Sequence, residues 1–582
     1  MEDDWVGHIR EIRPVKAHSG SLTLQAETGA GRNYFLHSVY DPEAEAQNWL
    51  KWVRLTPNTA YLVYGFGFGY YVKALLDKLP ENCRIFVIEY SYEESFARAA
   101  AQLWPDMRWM ADKRIVYLTG PNIRNIVGAA VEYIRTNVLD TITVCRHFAV
   151  MQLFPEFFRQ LEDELVREVM DQLALNVGFA LKYGLLYLEN CWRNLPHIFS
   201  SPGNGQYTDM FNGMPAIIVA SGPSLDKNVD LLHHYLDKAV IIAASTAIGA
   251  LNKRGIVPHF LVAIDPNPAM YQVLCHDIGT ASTLVATYDT DKDLIARYPG
   301  PKLFCRASGG DDLAQLAKYL PAVTVLQRSL SGATVAFEFA NHIGADPIIF
   351  IGQDMAFAEG RSHATGVRTN YNENDPQSSY YWVKGQNGEV LKANRFLKDL
   401  REYFISRIAT VYKNKTIINA TEGGAYLDGA MHMPLREAAT QYFGRTIDVA
   451  GNIARVHKQF TPANPKRLLQ AIQSLGETAG KVIKEITSLN NEEFRAGLTV
   501  AEAIECYQKA FAKLRKSNIY PFIAFYIDAC YLRQVYEHRE GCPAAQQLAD
   551  WEELFRRVEQ ALTLISSQVD ATVLSLQNKR KI

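Results

Sequence analysis

Seven short apolar runs, spaced through residues 216–351 and separated by segments of helical pattern, constrain this chain more than any other feature. They lie at residues 216–219, 240–244, 260–264, 283–286, 302–305, 324–326 and 347–351. Runs of three to five residues with so little polar content read as strands covered on both faces. Strands alternating with helices predict an α/β fold, a doubly wound, Rossmann-like parallel sheet. In such a sheet a ligand binds beyond the carboxyl ends of the strands, so the residues that end each run are the first candidates for a site.

The flanks follow different patterns. Residues 60–64 are apolar, Gly65-Phe66-Gly67-Phe68-Gly69 makes a turn, a helical stretch runs to Leu79, and residues 84–89 form a second apolar run ending in Glu89. This is a βαβ unit, and its glycine turn reads either as a second nucleotide site with Glu89 on a ribose or as a tight turn with a capping acid. Leu153, Phe157, Leu161 and Leu165 then repeat at helical spacing, and Ser200-Ser201-Pro202-Gly203-Asn204-Gly205 has the composition of a linker. Beyond Val449 the strand pattern stops. The expected division is a smaller α/β domain with a helical connector over 1–200, the Rossmann-like nucleotide-sugar-binding domain over 201–450, and an all-helical domain over 451–582. Aromatic residues of the last part (Tyr507, Phe511, Tyr520, Phe522, Phe525, Tyr526, Tyr531, Tyr536) are either core or a surface for a protein acceptor.

Composition removes several function classes. Sixty Lys and Arg against 62 Asp and Glu give a net charge of -2, so there is no global basic field for nucleic acid. The eight cysteines show no Cys-x-x-Cys spacing, as expected of free thiols in a reducing compartment, and no metal site is read from them. The start Met1-Glu2-Asp3-Asp4 has the wrong charge for a secretory signal, and the apolar stretch 521–532 is too short to span a bilayer and carries Asp528. A cytoplasmic protein without membrane insertion is expected.

Within the central domain the polar tips fall into a pattern. The run at 216–219 leads into Ala220-Ser221-Gly222-Pro223-Ser224, where Gly222 permits close backbone approach, Pro223 fixes φ, and a helix start offers free N–H groups to an anion. Ser224 alternatively caps that helix. Ser245 and Asp265 end the next two runs, Ser331-Gly332-Ala333 opens a later helix, and Gly352-Gln353-Asp354 ends the run at 347–351. Ser221, Gly222, Pro223, Ser224, Ser245, Asp265, Ser331, Gly332, Ala333, Gln353 and Asp354 are therefore the candidate nucleotide-binding residues. Asp289-Thr290-Asp291-Lys292-Asp293 reads either as a carboxylate pair for a metal or as a solvated helix start.

These turns, together with residues 348–357, Ser362-His363-Ala364 and Asn419-Ala420-Thr421-Glu422-Gly423-Gly424, resemble the motility-associated-factor (Maf) family of flagellin glycosyltransferases. More distantly, the central domain is similar to bacterial sialyltransferases that use CMP sugars. Their Gly-Asn-Gly-Pro-Ser turn stands here with Ser221 in place of the Asn, and their phosphate-holding tyrosines have no clear counterpart. The resemblance implies transfer of a nonulosonic acid of the pseudaminic or legionaminic type from its CMP conjugate to Ser or Thr of flagellin, with no cofactor or metal required. His363 and Glu422 are then the candidate bases. A pterin diphosphokinase, whose domain is also similar, and a flagellin-binding adaptor without turnover are the alternatives.

Overall fold

In the computed structural model the chain divides into two compact units, residues 1–176 and 177–582. The structure describes residues 9–55, 59–79, 83–90, 96–101, 103, 108–112, 114–123, 126–130, 141–276, 282–307, 313–326, 331–357, 361–368, 380–537 and 542–578.

The smaller unit opens with an antiparallel meander, β1 (Ile9–Lys16), β2 (Leu22–Thr28) and β3 (Asn33–Phe35). A parallel sheet follows, made of β4 (Thr59–Tyr64), β5 (Arg84–Glu89), β6 (Ile115–Thr119) and β7 (Thr141–Arg146) in the order β6-β5-β4-β7. The expected βαβ unit is present as β4, the helix Tyr70–Leu76 and β5. Its glycine turn is filled by the protein's own side chains. Gly67 has a φ of +61°, and a Cβ there would lie 2.3 Å from His147 Nε2; a Cβ on Gly65 would meet Val150 at 2.5 Å. Glu89, buried, accepts from the Phe96 N–H at 3.2 Å. The tight turn with a capping acid is thus the reading that this geometry carries.

Under that turn lies a buried chain of hydrogen bonds. The Val150 N–H points at His147 Nδ1 (3.4 Å), His147 Nε2 lies 3.3 Å from His37 Nε2, and His37 Nδ1 lies 3.3 Å from Glu45 Oε2; His37 Nε2 also accepts from the Phe68 N–H. A His147 that accepts at Nδ1 carries its proton on Nε2 and donates it to His37, which passes its own Nδ1–H to Glu45, so both rings are neutral. Burial holds both imidazoles below their ordinary value, against the raising effect of Glu45 on His37. A histidine with a lowered folded pKa contributes stability that is complete above the unfolded value of about 6.5 and is lost as pH falls through it. Hydrogen exchange at residues 64–70 of the intact chain, corrected for intrinsic rates, should therefore accelerate between pH 7.5 and 5, and a flat profile would remove the histidine pair as its cause.

The larger unit holds a nine-stranded sheet. Its strands are β8 (Ala216–Val219), β9 (Val240–Ala244), β10 (Phe260–Ala263), β11 (Thr283–Thr287), β12 (Lys302–Ala307), β13 (Val325–Leu326) and β14 (Ile348–Ile351), and, after a separate hairpin of β15 (Tyr380–Lys384) and β16 (Val390–Asn394), β17 (Ile417–Asn419) and β18 (Met431–His432). The order is β13-β12-β11-β10-β9-β8-β14-β17-β18, with every pair parallel. All seven apolar runs are strands, as a doubly wound α/β sheet requires. Alternate residues face opposite cores: Ile217, Val219, Ile241, Ala243, Ile349 and Ile351 on one side, Ala216, Ile218, Val240, Ile242, Ile348 and Phe350 on the other. Chain progression runs outward in both directions from β8 and β14, which makes the gap between these two strands the topological switch point.

The first face is covered by the C-terminal half of the helix Pro155–Phe199 and by the helices Lys466–Leu489, Val500–Leu514, Ala524–Glu537 and Ala544–Asn578. The helical tail therefore shares a core with the sheet. Tyr507, Phe511, Tyr520, Phe522 and Tyr526 are buried in that core, so they are packing residues rather than a surface for an acceptor; the side chain of Tyr536 lies outside the described residues. The Ser200–Gly205 stretch, read as a linker, is sewn onto the unit: the Phe304 N–H bonds Pro202 O, the Gly205 N–H bonds Ala322 O, and buried Asn204 bonds Thr324 in both directions. Small residues there serve close packing, since a Cβ on Gly203 would lie 2.3 Å from Ala322 O.

Candidate active site

The carboxyl ends of β8, β9, β10, β14 and β17 bring most of the expected residues to one rim. Ser221 follows β8, Ser245 follows β9, Asp265 follows β10, and Gln353 and Asp354 follow β14. The helix Gly332–His342 begins over β9 and β10, where a Cβ on Gly332 would lie 3.3 Å from Val262 O and 3.6 Å from Ala244 Cβ. Ser331 caps that helix: its Oγ accepts from the Thr334 N–H, and the Thr334 side chain returns a bond to the Ser331 backbone. Ala333 is buried beneath the first turn. Residues 327–330, which precede this turn, lie outside the described residues.

The Gly-Pro-Ser turn differs from an open anion seat. The helix after it, Leu225–Asn228, is a single turn, and the anion its start holds is the protein's own. The Ser224 hydroxyl donates to Asp354 Oδ2 at 2.7 Å, and the Ser224 N–H lies 3.3 Å from both carboxylate oxygens. A Cβ on Gly222 would fall 2.0 Å from Asp354 Oδ2, so glycine is what lets the carboxylate in. Burial pushes the Asp354 carboxyl up to about 6, while the Ser224 bonds and the charge of Lys227 oppose it. Asp354 thus welds β8 to β14 at the switch point. Replacing Gly222 by Val should cost more folding stability than replacing Gly332 by Val, whose Cβ meets only a 3.3 Å contact; equal losses in urea titrations would contradict this geometry.

Gln353 sits beside this weld with its Oε1 buried and without a hydrogen-bond partner among the described residues. An unpaired buried amide oxygen costs roughly 1–3 kcal/mol, which a ligand donor would recover. Asp265 accepts from the Asn267 N–H at 2.8 Å, and burial, with the charge of Asp289 adding to it, raises its pKa. Asp291 caps the helix Lys292–Arg297 through the Leu294 N–H, which is the helix-start reading of that carboxylate cluster.

The two candidate bases differ. Glu422 has a φ of +57°, and its Oε1 accepts from Asn228 Nδ2 and from the Leu435 N–H, which opens the helix Leu435–Tyr442. Its carboxylate orders a loop. His363 stands half-buried on a segment docked against the end of β8, where the Ala364 N–H donates to Ser221 O at 2.8 Å. Burial lowers its pKa. Two neighbours were not legible as site residues: Thr246, whose hydroxyl lies 2.9 Å from Ser221 Oγ, and exposed Lys227, whose Nζ donates to Glu422 O at 2.8 Å. Thr246 adjoins the singled-out Ser245, and the serine-threonine ending of that apolar run was its only signal.

Fold comparison brings the same rim into relation with a known architecture. Over 99% of this chain and 95% of the other, the structure matches the Maf glycosyltransferase from Magnetospirillum magneticum AMB-1, with a TM-score of 0.51 and 15% sequence identity. This chain has the Maf glycosyltransferase fold. The family model that matches, 6-hydroxymethylpterin diphosphokinase MptE-like, covers residues 189–360, the part of the Maf fold that runs from the end of the long helix through β14. An uncharacterized protein of Treponema pallidum (strain Nichols) is 28% identical over 128 residues, 21% of this chain, and the match spans 58% of that protein's length. Among the described residues no helix is long and apolar enough to cross a membrane.

Proposed function

We propose that this chain is a glycosyltransferase that moves a nonulosonic acid of the pseudaminic or legionaminic type from its CMP conjugate to Ser or Thr hydroxyls of flagellin, in the cytoplasm. The observation that carries the reading is the switch-point rim. There the strand ends and the start of the helix Gly332–His342 gather Ser221, Thr246, Ser245 and Ser331, the unpaired amide oxygen of Gln353 and the imidazole of His363, whose pKa burial lowers, on a chain with the Maf fold throughout. A departing CMP carries one phosphate, which hydroxyl donors and Lys227 suit without a metal, and an attacking alcohol needs a base. In this reading the acceptor oxygen bonds to the anomeric carbon, the bond from that carbon to the phosphate oxygen breaks, CMP leaves, and the hydroxyl proton passes to His363. Glu422 is left with loop ordering, because its carboxylate is already engaged.

A second reading, a nucleotide-dependent diphosphokinase, is favoured by the MptE-like match over 189–360. It needs a divalent cation on carboxylates to shield a triphosphate, whereas one oxygen of Asp291 is committed to its helix cap. Calorimetric titration with CMP, CDP, ATP and S-adenosylmethionine separates the two. CMP should bind most tightly, unaffected by EDTA or by Asp289→Asn. Tighter ATP binding that EDTA abolishes would replace the first reading with the second.

A further inference from the structure

We propose that the outward face of the hairpin β15–β16 docks the polypeptide acceptor, taking acidic and apolar side chains of that partner beside the rim. The inference rests on the reading of the chain as a transferase whose acceptor is flagellin. In the register of the hairpin Trp382 stands opposite Lys392 and Lys384 opposite Val390, so Trp382, Lys384 and Val390 share one face, while Val383, Leu391 and Ala393 pack inward. Trp382 is 71% exposed and Val390 68%, which makes them the two most exposed large apolar side chains among the described residues of the larger unit. They are diagonal neighbours across the two strands, so they form one patch rather than two isolated exposures. A tryptophan left in water within such a patch is the kind of anchor that protein interfaces bury. The buried aromatic residues of the helical tail offer no such anchor.

The hairpin is bonded to the rim at its turn. The Tyr426 N–H donates to Lys384 O at 2.7 Å, the Gln386 N–H to Gly424 O at 3.0 Å and Gln386 Nε2 to Gly423 O at 2.6 Å. Gly423 in turn lies against the switch point, since a Cβ there would meet Lys227 Nζ and Ser224 Cβ at 3.4 Å. A polypeptide seated on this face is thus contiguous with the rim. Charge selects its chemistry. Exposed Lys384 holds its Nζ 4.6 Å from the centre of the Tyr426 ring, and exposed Lys227 holds its Nζ on the Glu422 carbonyl; among the described residues neither makes an ion pair. Two cations held by neutral groups beside an apolar patch, on a chain of net charge -2, suit carboxylates interspersed with apolar side chains. Two lysines are also fewer than the roughly four to eight basic residues of a lipid-binding cluster, so the occupant is a polypeptide rather than an anionic membrane.

Anisotropy of labelled flagellin monomers titrated with the full chain tests this. Trp382→Ala should weaken binding roughly 10- to 100-fold and Lys384→Glu about 10-fold, with CMP affinity unchanged in both and the parent's flagellin affinity falling as salt rises. Leu574→Ala, which removes another exposed apolar side chain (60%) on the tail helix, should change nothing. Urea unfolding checks that the variants fold, and if Trp382→Ala loses stability, Lys384→Glu carries the test. In transfer assays the hairpin variants should raise KM for flagellin and leave kcat near the parent value. Flagellin affinity indifferent to the hairpin variants, or lost equally in Leu574→Ala, would overturn the proposal. So would a concentration-dependent dimer of this chain, or binding to phosphatidylserine vesicles, that the hairpin variants abolish. Flagellin that binds through the hairpin while no CMP-nonulosonic acid is consumed would remove the functional reading and leave the surface. Transfer that ignores both variants would do the reverse, and a parent chain that neither binds nor modifies flagellin would remove both.

Discussion

Arg407→Met should destabilise the larger unit by about 3–5 kcal/mol, the cost of breaking a buried ion pair from one side. Arg407 lies in the helix Arg395–Thr410 and grips Glu338, in the helix Gly332–His342, with two bonds of 2.8 and 2.7 Å. Glu338 is buried and also accepts the Tyr403 hydroxyl at 2.8 Å and the Tyr412 hydroxyl at 2.6 Å, so three side chains address one carboxylate. Removing the cation leaves a buried carboxylate with only the two tyrosine hydroxyls, and the cost is that of an ion without its counter-charge rather than of one lost contact. Arg407→Lys should fall between, since a point charge cannot make the two-pronged bond. The double change Glu338→Gln with Arg407→Met should lose less than Arg407→Met alone, because the amide oxygen still serves the tyrosine hydroxyls without a charge. Urea unfolding measures all three, and a double variant weaker than Arg407→Met would contradict the argument. The network matters to the rim because the helix that holds Glu338 is the one whose first turn, Ser331 to Ala333, sits over β9 and β10.

None of this network was legible beforehand, and the reason is physical. Glu338 and Arg407 are 69 residues apart, and a lone acid in an apolar helix carries no mark of its partner until the fold sets them face to face. Strands β8 to β11 and β14 were legible because being covered on both faces imposes an apolar residue at nearly every position, which is visible locally; β8 to β14 fall where the apolar runs do. β17 and β18 are three and two residues long, too short for periodicity to register. The rim residues were legible as strand ends, since topology alone carries them to one edge. Their duties were not, because direction depends on neighbours far away in the chain. Ser224 looked like part of an open anion seat, yet it faces Asp354 across 130 positions. Gly222 was singled out for close backbone approach to a ligand, and the group that approaches is that same carboxylate. Likewise Ser200–Gly205 had a linker's composition because close packing against Ala322 demands the same small residues that flexibility does.

His363→Gln should lower transfer by roughly 10²- to 10⁴-fold, the usual contribution of a positioned general base, while leaving CMP affinity near that of the parent. Glutamine keeps the polar character and much of the volume, so the segment pinned by Ala364 and Thr365 has no reason to move. The pH dependence supplies the sharper test. A base works in its unprotonated form, and burial lowers the His363 pKa, so the acid limb of the rate profile should fall below the ordinary histidine value of about 6.5, with full activity above it. In His363→Gln that limb should disappear. Asp354, whose carboxyl is pushed up to about 6, is a second group able to shape the same region, and Asp354→Asn separates them. The amide still accepts from Ser224 but no longer titrates, so a limb that survives in Asp354→Asn and vanishes in His363→Gln assigns it to the imidazole. Glu422→Gln should change the rate far less, because its Oε1 is already taken by Asn228 and the Leu435 N–H and an amide oxygen can replace it there. If instead Glu422→Gln removed the limb and His363→Gln kept it, the proton would go to the carboxylate, and the loop it holds would have to open during the reaction.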